Sequence, residues 1–342
     1  MEAASDSLDQ EAIGWPRRTR AWQILREGLL GRGSRASKAC IRELTSWARL
    51  APAPASPSVR KVMASLQLFD GSVELNSDAP GNDESPIFLL STGWRAGSTL
   101  LQRILMTDTG LLLWGEPLGE MVPVSRMTEM MTNFISERNL AEWRNQPSLD
   151  SGNLSKSWIA NLYPPGESFR IGLRSVFDQW MGGPAREHGF ARWGFKEVRV
   201  SAADAILLHW LYPKAKFLVI SRHPYDCYRS HADAKWGQVY DRYPEVLIDS
   251  AAAFARHWNR LAVSWATLPA GFPIVSVKYE DLIDRKIDFR SMESWLGIKV
   301  DEDSALSKPV GGTATRSRLS WYERWIISHE AATGMRALGY TK

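Results

Sequence analysis

The chain has 342 residues, of which 44% are hydrophobic, 23% charged and 11% aromatic, and its formal net charge is +4. This is ordinary globular usage, long enough for one large domain or two smaller ones, and it excludes disordered and collagen-like classes. No apolar run approaches the roughly 18 residues that a spanning helix needs, and an N-terminus carrying Glu2, Asp6, Asp9 and Glu11 lacks the layout of a secretory signal, so a cytoplasmic protein with no transmembrane segment is the default expectation.

The charge is unevenly placed. Residues 1–62 hold 11 Lys and Arg against 6 acids, so the basic surplus belongs to the N-terminal region. It reads as a solvated helical appendage whose charge suits weak contact with an anionic surface; no nucleic-acid partner is expected. The stretch 51–58, with alternating Pro and Ala, cannot continue a helix, and 76–86 is again polar with Pro, Gly and Asp, so both read as linkers. Residues 1–85 are therefore expected to form a basic helical and linker region.

Ile87 to Leu90 is too short for a helix and leads at once to Thr92-Gly93, which predicts a buried strand ending in a turn, followed by a helix over 98–106. Similar buried runs recur at 193–198, 216–221 and 273–279, separated by helix-like stretches such as 201–211 and 249–266. Strands alternating with helices predict an α/β fold with a parallel sheet flanked by helices. In such folds ligands sit beyond the carboxyl ends of the strands, so the residues just after each strand are where chemistry is sought. Cys40 and Cys227 are far apart and the six histidines show no ligand spacing, so neither a disulfide framework nor a metal cluster is expected.

The first such position is Thr92-Gly93-Trp94-Arg95-Ala96-Gly97-Ser98-Thr99. Glycines let backbone N–H groups turn inward around anionic oxygens, a helix N-terminus adds its positive dipole end, and Ser98 and Thr99 add hydroxyl donors. It is not a Walker A loop, because Ser98 stands where that pattern needs Lys, and the cation, Arg95, comes before the second glycine. The second position is Arg222-His223-Pro224-Tyr225-Asp226 through Ser230. If a helix starts near Pro224, Ser230 lies two turns along it, and with Arg222 it is suited to a further phosphate.

Arg95-Ala96-Gly97-Ser98-Thr99 after one strand and Arg222-x-Pro-x-Asp…Ser230 after another resemble the paired signatures of sulfotransferases that use 3′-phosphoadenosine 5′-phosphosulfate (PAPS). The resemblance covers about 86–320 and implies a P-loop NTPase-like sulfotransferase domain over 86–342. It implies that the first loop grips the 5′-phosphosulfate and the second the 3′-phosphate. Glu116 lies 21 residues after Arg95, where several branches, tyrosylprotein sulfotransferases among them, place a catalytic glutamate, with Glu120 next in line. A carboxylate between Gly115 and Pro117 sits on a loop, free to take the proton of an acceptor hydroxyl.

Lys196 falls in a strand otherwise read as buried, where an ammonium needs an anion. The resemblance implies the transferring sulfuryl group; an ion pair with Glu197 or another acid is the plainer account. Arg316, in the Gly311–Arg318 stretch, is similar to the family's late loop over the nucleotide. Trp94, Trp114, Trp180 and Trp236 are suited either to stacking on an acceptor or to core packing. The implied activity is transfer from PAPS to a hydroxyl acceptor (carbohydrate, small molecule or tyrosine), leaving 3′-phosphoadenosine 5′-phosphate, with no metal because Arg95, Lys196 and the loop amides neutralise the developing charge. A small-molecule kinase with an atypical loop and a non-catalytic nucleotide-binding protein are the alternatives.

Overall fold

The computed structural model describes residues 35–49, 57–70, 84–133, 166–232, 242–243, 246–306 and 318–341. They divide into two compact units, one drawn from 57–222 and 261–306, the other from 35–49, 223–260 and 318–341.

The first unit is built on a five-stranded sheet in which every pairing is parallel. Its strands are β1 (Ile87–Ser91), β2 (Leu111–Trp114), β3 (Arg192–Glu197), β4 (Lys216–Ser221) and β5 (Ile274–Lys278), in the order β2-β3-β1-β4-β5. Four of the five match the predicted runs. β2 has no counterpart among them: Leu-Leu-Leu-Trp is four residues long with no β-branched side chain, and its pairing with β3, Leu111 opposite Arg192 to Trp114 opposite Phe195, is a tertiary fact.

β1 is the central strand and is buried along its whole length, as a continuous apolar run between two parallel neighbours should be. It leads into α2 (Ser98–Leu105), and α1 (Val59–Asp70) precedes it in the chain. Phe88 and Leu90 face a core shared with Phe195, Phe217, Trp193 and Tyr212. The ring of Phe88 lies 4.7 Å from that of Phe195 and 5.3 Å from that of Phe217. Val59, Val62 and Leu66 of α1 belong to the same core, although α1 lies upstream of the residue 86 at which the domain was expected to begin.

The helix α3 (Ala202–Leu211) is buried on every side and has no polar stripe. Its start is fixed by Asp204, whose carboxylate accepts from the Ser201 amide at 2.6 Å and the Ser201 hydroxyl at 2.8 Å. Gly194 lets β3 approach β1, because a Cβ there would stand 1.8 Å from the Ile87 carbonyl oxygen.

In the second unit three stretches far apart in sequence meet at Glu330. One of its carboxylate oxygens accepts from the Trp47 indole at 2.6 Å and the other from Arg256 Nε at 2.8 Å. Trp47 stands edge-on to Trp325, their centroids 5.4 Å apart. Ser230 lies in this unit, on the helix Pro224–Ala232, which begins at the proline as expected. No described helix is long and apolar enough to cross a membrane.

Candidate active site

The residues singled out in the first unit gather at the carboxyl ends of β1 to β4, with Tyr279 added from the end of β5. The loop after β1 is shaped by its backbone. Gly93 and Gly97 take φ of 126° and 93°, and Arg95, a non-glycine, takes 64°. Ser91 braces the turn by donating from Oγ to the Gly93 carbonyl at 2.7 Å. Gly97 caps α2 and its carbonyl accepts from the amides of Leu100 and Leu101 at 3.0 and 3.2 Å. Ala96 and Ser98 are buried, Thr99 and Arg95 are exposed. Thr92 Oγ1 is buried with no hydrogen-bond partner among the described residues.

Tyr279 closes this loop from the far side. A Cβ on Gly97 would fall 2.2 Å from the Tyr279 ring, so glycine is required there by contact as well as by φ. The Arg222 guanidinium lies over the same ring at 4.2 Å and donates to the Arg95 carbonyl at 3.1 Å. Gly97, Tyr279 and Arg222 thus form one packed assembly. Tyr279 was not among the predicted site residues, although it stands immediately after a strand and so falls under the same carboxyl-end rule that found Arg222.

The second cluster is made of charges. Glu116 follows β2, whose end is held by α2: Gln102 Nε2 donates to the carbonyls of Leu113 at 2.9 Å and Trp114 at 3.3 Å, and the Trp114 indole donates to the Met181 carbonyl at 3.1 Å. Beyond Glu116 the chain bends sharply, with Leu118 at φ 55° and Val122 at φ 39°, the latter unusual for a β-branched residue. Glu116 Oε1 accepts from Lys196 Nζ and Oε2 from Arg199 Nη1, each at 2.6 Å. Arg199 Nη1 also reaches Glu197 Oε1 at 3.1 Å, and that same oxygen accepts the amides of Val198 at 2.8 Å and Arg199 at 3.1 Å. The Arg199 guanidinium lies 5.8 Å from the ring of Trp94, which brings the cluster up against the loop after β1.

Lys196 does pair with an acid, and that acid is Glu116 rather than Glu197. Its side chain is 8% exposed, that of Arg199 5% and that of Glu197 2%, so the ion pairs exist in a dry setting where a lone charge would be costly. Burial pushes the Glu116 carboxyl up, but Lys196 and Arg199 together outweigh it and hold the group below the usual glutamate value. Glu197 goes the other way: burial, opposed by Arg199 and assisted by the Glu116 charge, pushes it up to about 7. Arg199 is raised, its burial outweighed by the two carboxylates.

Arg199 and Glu197 were not predicted as site residues. The signal was present, because the argument that a buried Lys196 needs a partner applies equally to a glutamate and an arginine one and three positions further on. Trp94 is buried against Arg199 and Trp114 is half-buried, which is packing, whereas Trp180 is exposed. Arg316 and Trp236 lie outside the described residues, and the Glu120 side chain is likewise not described.

A parallel α/β sheet with a glycine-bearing loop after its central strand, and a carboxylate and two cations at the neighbouring strand ends, has the P-loop-like architecture. The sequence model described as "Sulfotransferase family" matches residues 86–302, and the chain belongs to that family. No curated protein matches it. Among solved structures it is similar to the sulfotransferase domain from the Synechococcus PCC 7002 olefin synthase, at 17% identity and TM-score 0.40, covering 77% of this chain and 98% of that one. The sulfotransferase domain from the curacin biosynthetic pathway matches at 12% identity and TM-score 0.39, covering 76% and 99%. Sulfotransferase STF1 from Mycobacterium tuberculosis H37Rv matches at 13% and 0.33, covering 92% and 91%.

Proposed function

We propose that this sulfotransferase takes its sulfuryl group from PAPS and passes it to a hydroxyl. The observation that carries the reading is the placement of Glu116 between two buried cations at the strand ends beside the loop after β1. In the proposed step Glu116 takes the acceptor proton as the acceptor oxygen bonds to sulfur. The bond from sulfur to the bridging oxygen breaks, its electron pair stays on the 5′-phosphate, and the products are a sulfate ester and 3′-phosphoadenosine 5′-phosphate. The proton leaves Glu116 for solvent. Lys196 and Arg95, with the amides of Ala96, Gly97, Ser98 and Thr99, oppose the charge that grows on the leaving oxygens.

Arg222 is assigned to the 3′-phosphate, with Ser230 and Arg316 as its proposed helpers. Arg222 supports this role because a guanidinium already stacked on Tyr279 loses little side-chain freedom when it binds an anion. Calorimetry tests the donor. The chain should bind 3′-phosphoadenosine 5′-phosphate in preference to ADP, and equal affinities would reject PAPS and favour a kinase. A screen of carbohydrate, phenol and peptide acceptors with labelled PAPS tests the hydroxyl class.

A further inference from the structure

Resting on the sulfuryl-transfer reading above, we infer that Arg199 is the positioning residue of this site: it keeps Glu116 in place and ionised while Lys196 turns to the anionic donor. Glu116 is held by two cations at equal distance, 2.6 Å each, but the two are anchored very differently. Lys196 is a compact ammonium on a four-carbon stem, and its hydrogen bond among the described residues goes to Glu116. Arg199 bridges two carboxylates. The nitrogen that reaches Glu116 also reaches Glu197, whose oxygen is pinned by two backbone amides, and Trp94 lies along the guanidinium.

A sulfonate arriving at the strand ends competes for whichever cation can move. Withdrawing Arg199 would leave Glu197, 2% exposed, without its cation and Glu116 with Lys196 alone. Withdrawing Lys196 uncovers neither, because Arg199 still holds Glu116 Oε2. The charged groups that face Glu116 are Lys196 from β3 and Arg199 from just beyond it, with Glu197 behind Arg199. Without Arg199, the departure of Lys196 would leave burial as the dominant influence on Glu116, which would then take up a proton from solvent and have no place for that of the acceptor.

The test uses hydrolysis of radiolabelled PAPS, in which water is the acceptor, followed as a function of pH, together with calorimetry of 3′-phosphoadenosine 5′-phosphate. Arg199→Gln should bind the nucleotide within about 3-fold of wild type and hydrolyse PAPS about 10-fold to 100-fold more slowly. Its acidic limb should move to higher pH by about 1 unit or more, since a neighbouring opposite charge lowers a carboxyl by about 1–3 units. Arg199→Lys, which keeps the charge on a shorter side chain without the rigid planar fork, should fall between Arg199→Gln and wild type in both rate and limb. Glu197→Gln should leave the limb nearly in place, because Glu197, pushed up to about 7, already carries its proton across the acidic range.

A folded Arg199→Gln whose limb does not move overturns the inference, as does a loss of nucleotide affinity parallel to the loss of rate. If Arg199→Gln does not fold, Arg199→Gln combined with Glu197→Gln, which also removes the buried acid that Arg199 would leave unpaired, decides by the same criteria, and an unmoved limb overturns the inference. Full activity in Glu116→Gln overturns the underlying reading and this inference together. Lost activity in Glu116→Gln with an unmoved limb in Arg199→Gln overturns this inference alone.

Discussion

In the proposed reading the two halves of the site meet an anion in opposite ways. The loop after β1 does so with backbone: two glycines and one arginine at positive φ and a serine brace, closed by an aromatic ring set against Gly97. The cluster after β2 and β3 does so with side-chain charges that are paired with one another, Lys196 and Arg199 with Glu116, and Arg199 also with Glu197. A backbone cradle is built before its ligand arrives and costs little to use. A closed charge network must open first, so its strength is held for the step in which charge moves. Substitutions in the first should therefore show up in affinity and stability, and those in the second in rate and pH dependence.

The largest expected effect comes from Glu116→Gln, which keeps the size of the side chain and cannot take a proton. Steady-state assays should find kcat lower by roughly 10²-fold to 10⁴-fold with nucleotide affinity kept. Lys196→Ala should cost roughly 10²-fold in kcat, the usual loss on removing one preorganised electrostatic group. Wild-type turnover in a folded, donor-binding Lys196→Ala would make the lysine a structural partner of Glu116 and nothing more. On the other side of the comparison, Arg222→Ala should leave kcat nearly intact and weaken 3′-phosphoadenosine 5′-phosphate by about 10-fold to 100-fold while ADP changes little, since one hydrogen bond to a charged group contributes about 1.5–3 kcal/mol.

Gly97→Ala sharpens the contrast. The new Cβ would meet the Tyr279 ring at 2.2 Å in a conformation that L residues avoid, so thermal unfolding should show a loss of about 1–3 kcal/mol. Nucleotide affinity should fall with it.

The smallest effect is a slope. Glu197 titrates at about 7 in the folded chain and near the ordinary 4.5 when unfolded, so the folded state binds that proton more tightly. Its contribution to stability is present below the unfolded value and is lost as pH rises through about 7. Glu116, held low, contributes in the opposite sense and loses its contribution as pH falls through the ordinary carboxylate range. Denaturant titrations of Glu197→Gln should show a flatter dependence of stability on pH between about 4.5 and about 7 than wild type, because the amide has no proton to gain. An unchanged slope would remove Glu197 from the account.

The frame of the site was legible because strand ends announce themselves. Buried runs at 87–90 and 216–221 hand over to turn and charge, and the carboxyl-end rule then points to Arg95 and Arg222, while Lys196 stands out as a charge inside the buried run 193–198. What local pattern does not carry is partnership. That Lys196 meets Glu116 depends on β2 lying beside β3, and β2 was too short and too plain to be recognised. Glu197 and Arg199 carried the same signal as Lys196, charge in or just beyond a buried run, but which of the three pair with one another is set by the fold, which buries them with the phenylalanines. Tyr279 belongs to the site because β4 and β5 are neighbours, with Ser221 opposite Lys278, and no spacing in the chain encodes that.

The carboxylate of Glu330 has a bearing on how the polypeptide is made. It joins Trp47 to Arg256, partners that leave the ribosome some two hundred residues apart, and it leaves last of the three. The helix carrying Trp47 must therefore wait, while the whole parallel sheet is synthesised, for the residue that completes its surroundings. During that interval an indole that ends up 2% exposed has no Glu330 to meet. At ordinary elongation rates of about 5–20 residues per second, the delay between Trp47 and Glu330 amounts to about 15–60 seconds.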